Sequence, residues 1–326
     1  MAEKAEKFSY SKLDSYHQCG FKYYLHYVLK QSFSSNTIAT EFGSTIHKAE
    51  EDIANMIMAG QAIDYNGIKN TVLSKFFELK VKYPKDFDAL DKSGRTYTEK
   101  VFLYLDSEIY KLEQFLKAHP TYRVIGAEVP FNITIPGFDQ YEFRGSIDRV
   151  LYDTAMDTYL IQDIKTWPEK KEKKDLAVPL QFVVYTLAAK NLYQCSEKQI
   201  RCQYYLPLCQ IAQDAGKEGY IQEGISQIKE LFTGIEEGNY TPHPSPLCSW
   251  CEYCWKNESA DPRSQYLCPY YCLWDKTTRR KIDLHQVENK WEGLDKHPII
   301  LELYHKKYNI PHGEEVTQNG NGDQKS

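Results

Sequence analysis

The sequence has no long apolar run and no large excess of charge of either sign. No stretch of its 326 residues approaches the roughly 18 apolar residues of a membrane span, and the opening MAEKAEKF has no apolar signal region. We therefore expect a cytoplasmic protein without a membrane partner. The formal net charge of −5 disfavours broad attraction to a polyanion, so any contact with nucleic acid must come from local basic patches.

The sequence also lacks internal repeats and a Walker-type phosphate-binding loop, so any motor activity must come from a partner protein. Hydrophobic residues make up 42% of the chain and charged residues 26%, which are typical globular values. The length is sufficient to bury a substantial core with appendages.

Nine cysteines in an expected reducing compartment argue against a disulfide scaffold and favour metal or cluster ligation by some of them. Five follow one another in the C-terminal part of the chain: Cys248, Cys251, Cys254, Cys268 and Cys272. The C-x2-C-x2-C run that begins this group predicts either a zinc site or an iron-sulfur cluster. Three more cysteines precede this group, and we interpret them as small packing residues: Cys195, Cys202 and Cys209.

The stretch RGSIDRVLYDTAMDTYLIQDIKTW, residues 144–167, combines two β-branched runs with a turn signal between them. This pattern predicts a β-hairpin. A turn centred between Ala155 and Met156 places Asp148 opposite Asp163, with Cβ atoms roughly 5 Å apart.

Like charges in that position repel, so the predicted hairpin requires a compensating cation. Lys165 follows Asp163 by two residues and therefore returns to the same face. Two carboxylates bridged by Mg²⁺ or Mn²⁺, with the lysine beside them, account for this set of residues. The alternative is a surface hairpin with ordinary charges, but Ile147 and Val150 favour a covered sheet.

A basic run, EKKEKKD, follows this hairpin directly at residues 169–175. Charge runs are often only solvated loops. The alternative interpretation is contact with DNA by four lysines: Lys170, Lys171, Lys173 and Lys174.

The periodicity of apolar residues divides the chain into a helical region followed by a sheet region. Helical spacing predicts helices over 9–29, 40–60, about 66–82 and about 96–118. Alternation then predicts a three-stranded antiparallel meander, over 122–135, 141–153 and 159–167. A helix over 179–193, a strand over 200–208 and a helix over 221–238 follow.

Five short motifs resemble, in order, those of the PD-(D/E)XK nuclease superfamily in its RecB-like exonuclease branch: SYSKLDSYHQC, FGSTIHKAEE, GSID, DIK and QFVVY. The resemblance implies an α/β fold with a restriction-endonuclease-like core, in which a mixed sheet is flanked by helices. An N-terminal helical insertion and a C-terminal cysteine-rich segment are added to it.

The expected domains follow these motifs. Residues 1–121 form an N-terminal helical region that contributes His47 and Cys19, and residues 122–240 form the nuclease core. A metal- or cluster-binding segment with C-terminal helices covers 241–310, and a polar disordered tail covers 311–326.

The resemblance also implies roles for individual residues. Asp148 and Asp163 are metal ligands and His47 is a further one, while Lys165 orients or activates the attacking water. Two residues one helical turn apart, Gln181 and Tyr185, steady the lysine or the DNA backbone. Glu128 occupies a position where several relatives have another acidic residue.

Cys19 follows DSYHQ, where iron-staple nucleases of the AddB type and the CRISPR-adaptation nucleases have a cysteine. In those proteins one N-terminal and three C-terminal cysteines hold a 4Fe-4S cluster, which here implies Cys19, Cys248, Cys251 and Cys254. Because relatives space the last pair more widely, Cys268 or Cys272 is an alternative fourth ligand. A zinc site built from four C-terminal cysteines, without Cys19, is the other alternative: Cys248, Cys251, Cys268 and Cys272.

Taken together, the resemblance implies a Mg²⁺- or Mn²⁺-dependent deoxyribonuclease. The expected activity is that of an exonuclease on linear DNA with free ends, in recombination, repair or phage DNA processing, with a helicase or recombination partner. Two alternatives stay open: a structure-specific endonuclease that uses the same site, or a DNA-binding subunit of a helicase-nuclease complex.

Overall fold

The computed structural model describes residues 6–32, 37–254, 267–268, 274–275 and 280–281. The expected C-terminal tail and Cys272 lie outside these residues. The chain forms two compact units: residues 1–17 with 36–239, and residues 18–35 with 240–326. None of the described helices is long and apolar enough to span a bilayer.

The first unit contains a six-stranded mixed sheet and most of the helices. Its strands are β1 (Glu6–Phe8), β2 (Tyr122–Ile135), β3 (Phe138–Asp153), β4 (Thr158–Ile164), β5 (Ile200–Leu206) and β6 (Ile211–Ala215). Its helices are α1 (Tyr10–Gln18, of which Gln18 begins the second unit), α3 (Ile38–Met58), α4 (Tyr65–Lys82), α5 (Pro84–Phe87), α6 (Tyr97–Asp106), α7 (Lys111–Ala118), α8 (Leu180–Tyr193) and α9 (Tyr220–Glu236).

The long strand β3 organises the sheet. It pairs with β2 and β4 in antiparallel fashion and with β1 in parallel, so the predicted meander is present. Strand β4 pairs with β5 in parallel, after the α8 crossover, and β5 pairs with β6 in antiparallel fashion. The fold is the predicted mixed sheet with helices against it.

Helices α3, α4, α6 and α7 share one apolar core with residues of the sheet. Helix α3 contributes a stripe at helical spacing that includes Phe42, Ile46 and Ile53, and Leu151 of β3 belongs to the same core. On α9, Phe232 packs against the aromatic rings of β1 and β3, such as Phe143. The apolar stripe of α3 fixes the rotation of this helix, which decides where its polar residues lie.

Two of the predicted helices are interrupted. The helix expected over 96–118 is divided by a 3₁₀ turn, Glu108–Tyr110. The helix expected over 9–29 ends at Gln18, because Cys19 has an extended backbone with φ −166°. A short helix α2 (Gly20–Tyr23) and a π-helical turn (Tyr24–Val28) follow.

The break at Cys19 has a tertiary cause within the second unit. Gly20 lies against the backbone of Thr241, and a Cβ at this position would meet the Thr241 carbonyl oxygen at 3.0 Å. The backbone N–H of His243 donates to the Sγ of Cys19 at 3.3 Å. These long-range contacts override the helical periodicity of the local sequence.

The sequence patterns did not predict two of the strands, β1 and β6. Strand β1 has only three residues and pairs with Tyr141–Phe143 of β3. Strand β6, IAQDA, has a mixed polar composition and pairs with β5. Both are edge strands, and their identity comes from backbone pairing rather than from a run of β-branched residues.

Candidate active site

The β3–β4 hairpin has the register that its sequence predicts. Observed pairs run from Arg149–Gln162 to Asp153–Thr158, and the same register places Asp148 opposite Asp163. The backbone N–H of Ile164 donates to Oδ2 of Asp148 at 2.7 Å, which fixes that carboxylate at the end of the ladder. The two aspartates therefore share one face of the sheet.

Asp163 is fully buried, and its pKa is raised far above that of an ordinary carboxyl group. Its side chain has 0% exposure, and its two carboxylate oxygens lie 3.0 and 2.8 Å from Nζ of Lys165. Burial raises the pKa of Asp163 to about 7, Lys165 opposes that rise, and the charge of Asp148 adds to it. Because Asp163 is buried and Asp148 is a second carboxylate beside it, the site favours the binding of a positively charged group.

His47 approaches this hairpin from α3. The helix begins with a capping box between Thr37 and Thr40, and the buried stripe that includes Ile46 sets its rotation. Nδ1 of His47 lies 3.5 Å from Oδ2 of Asp148, and 28% of the His47 side chain is exposed. The structure thus brings together two predicted ligands that are far apart in the sequence.

Glu128 completes a cluster with these two residues. Among the described residues, ligand atoms of His47, Glu128 and Asp148 lie within 4.8 Å of one another. Ala127 pairs with Arg149 and Val129 with Ile147, so Glu128 is the residue of β2 opposite Asp148.

The backbone of Glu128 is strained. Its φ is +46°, in the left-handed region that non-glycine residues rarely adopt. Oγ of Ser146 donates to a carboxylate oxygen of Glu128 at 2.5 Å. This conformation and this hydrogen bond hold the carboxylate beside His47 and Asp148, although the positive φ of Glu128 costs conformational free energy.

The donor set fits a hard divalent cation. Carboxylate oxygens predominate, which suits Mg²⁺ and Mn²⁺, and one imidazole nitrogen is added. Asp163 lies outside the 4.8 Å cluster and pairs with Lys165, so its predicted role as a ligand would require that pair to loosen.

The pair Gln181 and Tyr185 on α8 contacts the carboxylate rather than the lysine. Nε2 of Gln181 donates to Oδ1 of Asp163 at 2.9 Å and lies 2.9 Å from the Tyr185 hydroxyl. Burial, with the charge of Asp163 second, raises the pKa of Tyr185 well above its usual value. Tyr185 therefore stays a neutral hydrogen-bonding group that helps to fix the position of Asp163.

The site opens to solvent on the side of α3. A cavity of about 580 Å³ is lined by residues of this helix, among them Ser44 and His47, and by Glu128 and Thr166. Gly43 permits this arrangement, because a Cβ there would meet Oγ1 of Thr166 at 3.1 Å. Access is thus from the side of His47, while Asp163 forms the closed end.

Comparison with known families identifies this arrangement. A family model described as the PD-(D/E)XK nuclease superfamily matches residues 7–255. The chain belongs to this superfamily. A curated protein from Carboxydothermus hydrogenoformans, named as one subunit of an ATP-dependent helicase/deoxyribonuclease, is 28% identical over 203 residues. That match covers 56% of this chain and 18% of the relative, so the chain spans about a fifth of the length of the relative.

Family membership confirms the predicted restriction-endonuclease-like core, and members of this superfamily use divalent metals in the hydrolysis of nucleic acids. Asp148 and Asp163 lie on the two antiparallel strands of one hairpin, and Lys165, which pairs with Asp163, directly follows the second strand. The individual roles of these residues stay predictions.

A buried ion pair beside the site was absent from the expectations from sequence. Glu50, one turn after His47, accepts a hydrogen bond from Nη1 of Arg149 at 2.8 Å, and both side chains are almost fully buried. Arg149 also donates to Gln162, and the hydroxyl of Tyr104 donates to Glu50 at 3.0 Å. The signal in the sequence was the position of Glu50 and Arg149 shortly after two predicted ligands.

The basic run of the nuclease core lies in an exposed loop that is anchored to β6. The backbone N–H of Lys171 donates to Gln213 at 2.9 Å, and Gln213 donates back to the Lys171 carbonyl at 3.1 Å. Four exposed lysines belong to this loop: Lys170, Lys171, Lys173 and Lys174. Lys174 forms an ion pair with Glu172, so part of the positive charge is offset locally.

Five cysteines of the second unit line one small cavity of about 130 Å³: Cys19, Cys248, Cys251, Cys254 and Cys268. We call this cavity the cysteine pocket. Sγ of Cys19 and Sγ of Cys248 each accept a backbone N–H at 3.3 Å, from His243 and Ser245. Burial raises the pKa of Cys251 to about 12, and the neighbouring thiols of Cys19 and Cys248 add to that rise.

The remaining cysteines of the described chain belong to the first unit. Cys202 is buried and its sulfur lies 3.5 Å from the hydroxyls of Thr186 and Tyr220. Burial raises its pKa to about 11, as expected for an inert packing residue. Cys195 and Cys209 are half-buried and contact backbone carbonyls.

Proposed function

We propose that this protein is a metal-dependent deoxyribonuclease that degrades DNA from its ends. The observation that carries the proposal is the approach of His47, Glu128 and Asp148 to within 4.8 Å, beside the buried Asp163–Lys165 pair. Membership of the nuclease superfamily and the similarity to a helicase/deoxyribonuclease component support the same activity.

The residues divide the work of phosphodiester hydrolysis between them. His47, Glu128 and Asp148 would hold the cation, which would supply positive charge to lower the pKa of a water molecule and to stabilise charge on the phosphoryl oxygens. Asp163 keeps the ammonium of Lys165 at this place. An ammonium has three N–H donors, so Lys165 retains donors for the attacking water and for a phosphoryl oxygen.

The positioning of Lys165 depends on α8. Gln181 and Tyr185 fix the Asp163 carboxylate, which in turn fixes the lysine. The Lys165 side chain is 26% exposed, so it can reach a substrate that enters from the side of α3. A substrate that enters past His47 meets the cation site and the lysine together.

The end-dependent activity rests on the enclosure of the site on one side and on the similarity to a helicase/deoxyribonuclease component. Asp163 is closed off, and α3 lies beside Glu128 in the middle of β2 and beside Thr166, which follows the end of β4. A continuous strand must pass this helix, whereas a free end can enter directly. We propose that a helicase or recombination protein supplies such ends.

The test compares linear DNA with covalently closed single-stranded circles in the presence of Mg²⁺ or Mn²⁺. We expect progressive degradation of the linear DNA, resistance of the circles, and no activity in Asp148→Asn or after chelation with EDTA. Rapid cutting of the circles would favour the endonuclease alternative. Absence of cleavage in any DNA, with a folded protein and added Mn²⁺, would contradict the proposal.

We propose further that the cysteine pocket holds a 4Fe-4S cluster. Cys19 joins Cys248, Cys251 and Cys254 in it, and backbone N–H groups already donate to two of the sulfurs. Such N–H donors stabilise thiolates and tune cluster potentials. The raised thiol pKa of Cys251 indicates that, without bound positive charge, the pocket favours protonated thiols.

Protein purified without oxygen should be brown and contain about four iron atoms per chain if the cluster is of the 4Fe-4S type. Cys19→Ala should lose the colour and much of the thermal stability of the protein, whereas Cys195→Ala should lose neither. Since Cys268 lines the same pocket, Cys254→Ala and Cys268→Ala distinguish the fourth ligand. A colourless zinc protein that is indifferent to loss of Cys19 would contradict the cluster and leave the nuclease proposal intact.

A further inference from the structure

The segment after the catalytic lysine carries a tryptophan that the proposed chemistry does not use. Trp167 follows Lys165 by two residues and is partly exposed. Its indole ring packs against Tyr204, with ring centroids 5.0 Å apart. Tyr204 of β5 is the strand partner of Asp163 in β4. Trp167 therefore lies at the rim of the hairpin site.

A cation lies over the same ring. Nζ of Lys171 is 4.3 Å from the centroid of Trp167. The lysine side chain is exposed, while its backbone is fixed by the two hydrogen bonds with Gln213. Sγ of Cys209 lies 3.5 Å from the Trp167 carbonyl oxygen. The indole of Trp167 and the backbone of Lys171 are thus held in place, and the Lys171 ammonium is able to move.

From this geometry we propose that Trp167 and Lys171 form a nucleotide-binding platform for a single DNA strand, on which the indole stacks a base and the ammonium binds the adjoining phosphate. This inference rests on the proposed nuclease function and adds the substrate class: unpaired DNA at the site. A base inside a duplex has both faces covered by the neighbouring base pairs, so the platform takes a base that is not stacked within a duplex.

The energies favour exchange of the lysine for a base. An exposed cation–π contact is weaker than the stacking of a base on an aromatic side chain. The displaced ammonium gains a phosphate partner, because each nucleotide carries one. The contact between Lys171 and Trp167 is therefore the resting arrangement of a site that a nucleotide opens.

The experiment uses full-length protein in the Lys165→Ala background, which permits binding to be measured without cleavage. Fluorescence anisotropy gives the Kd for a labelled oligothymidylate, for an abasic oligonucleotide of equal length, and for a blunt-ended duplex without a loop. Trp167→Leu should raise the Kd for oligothymidylate about tenfold, as loss of one stacked base predicts. It should leave the Kd for the abasic strand and the duplex unchanged.

Three further variants sharpen the result. Trp167→Phe keeps an aromatic ring and should retain most of the affinity for oligothymidylate. Lys171→Ala should lower the slope of log Kd against log salt for the single strand by about 0.7, the value for one phosphate contact. Phe77→Leu removes an exposed aromatic ring from α4 and should change nothing.

The outcomes separate this inference from the proposed function. Equal loss of affinity for the oligothymidylate and the abasic strand in Trp167→Leu would overturn the platform, as would no loss at all in a variant with a native circular dichroism spectrum. If the parent protein binds no DNA and the wild type cleaves none, the nuclease proposal itself fails. If the wild type cleaves DNA while Trp167→Leu binds normally, only the platform fails.

Discussion

Two neighbouring cross-strand pairs on the β3–β4 hairpin carry polar groups into the interior with opposite outcomes. Arg149 and Gln162 pair with each other, and the charge of Arg149 is neutralised by Glu50. Asp148 and Asp163, the next pair along, bring two carboxylates together. The first pair is satisfied within the protein, whereas the second has an excess of negative charge.

The difference separates scaffold from site. Burial and charge are common to both pairs, so neither property marks a functional residue by itself. The distinguishing property is whether the protein supplies the counter-charge. Arg149 is 3% exposed and donates to Glu50 and Gln162, whereas Lys165 is 26% exposed, pairs with Asp163 and also faces the open side of the site.

The largest expected effect is the loss of catalysis when Lys165 is removed. Lys165→Ala should lower the rate of single-turnover cleavage about a thousandfold, within the roughly 10²–10⁴-fold range of proton-transfer catalysis. The fold should survive, because Asp163 with its pKa raised to about 7 takes up a proton when its partner is lost. Retention of more than a small fraction of wild-type turnover would remove Lys165 from the reaction.

Disruption of the buried Arg149–Glu50 pair should instead reduce the stability of the fold. Glu50→Ala leaves Arg149 buried without its carboxylate, and we expect a loss of about 3–5 kcal/mol in the free energy of unfolding. Chemical denaturation followed by circular dichroism measures it. The double variant Glu50→Leu with Arg149→Met should recover most of that loss, because apolar residues of similar size often replace a buried pair without cost.

A double variant that stays as unstable as Glu50→Ala would show that the hydrogen bonds to Tyr104 and Gln162, rather than the charge pair, dominate the stability of this network. In either case the comparison with Lys165→Ala is direct. Loss of Lys165 is expected to lower the cleavage rate without unfolding the protein, whereas loss of the partner of Arg149 is expected to destabilise the fold.

The hairpin itself could be predicted from the sequence because strand periodicity and turn position are local properties. A turn between Ala155 and Met156, together with a period of two, fixes which residue faces Asp148, and the observed register is the predicted one. The succession of helices and strands in the core, apart from β6, was predictable for the same reason, and family membership confirms the core fold.

The remaining features depend on contacts between distant segments. The break of the first helix at Cys19 is imposed by residues 241–243. The pairing of Glu50 with Arg149 requires the rotation of α3 against the sheet to be known. Glu128 could be placed only by resemblance, because its left-handed backbone and its approach to His47 leave no local pattern in the sequence.

The next prediction tests whether the aspartate pair costs stability. Burial raises the pKa of Asp163 to about 7 in the fold, against about 3.9 in an unfolded chain. Between these values the folded state binds more protons than the unfolded state. Stability of the metal-free protein should therefore fall as pH rises from about 4 to about 7, and level off above that.

Asp163→Asn lacks this group and should be more stable than wild type at about pH 8 in EDTA, with the advantage shrinking toward about pH 5. Thermal unfolding across that range measures it. Asp214→Asn, which changes an exposed carboxylate of β6, is the matched control and should show no such trend. A destabilised Asp163→Asn at the alkaline end would mean that the carboxylate is compensated within the protein, as Glu50 is.

The smallest expected effect isolates the backbone strain at Glu128, which lies opposite Asp148 and has a φ of +46°. Glycine adopts this conformation without the Cβ conflict, whereas alanine keeps the conflict and also lacks the carboxylate. Glu128→Gly should therefore be about 1 kcal/mol more stable than Glu128→Ala, since strain of this kind costs about 1–3 kcal/mol and the freer unfolded chain of glycine offsets part of it.

Both Glu128 variants should bind Mn²⁺ more weakly than wild type in a calorimetric titration, because both remove one of the three clustered ligands. Gln194 has a similar φ of +51° at the end of α8, so Gln194→Gly against Gln194→Ala is the matched control. There the same gain in stability should leave Mn²⁺ affinity and cleavage unchanged. Equal stability of Glu128→Gly and Glu128→Ala would show that the backbone relaxes once the carboxylate is gone, so that the carboxylate contacts rather than the fold impose the strain.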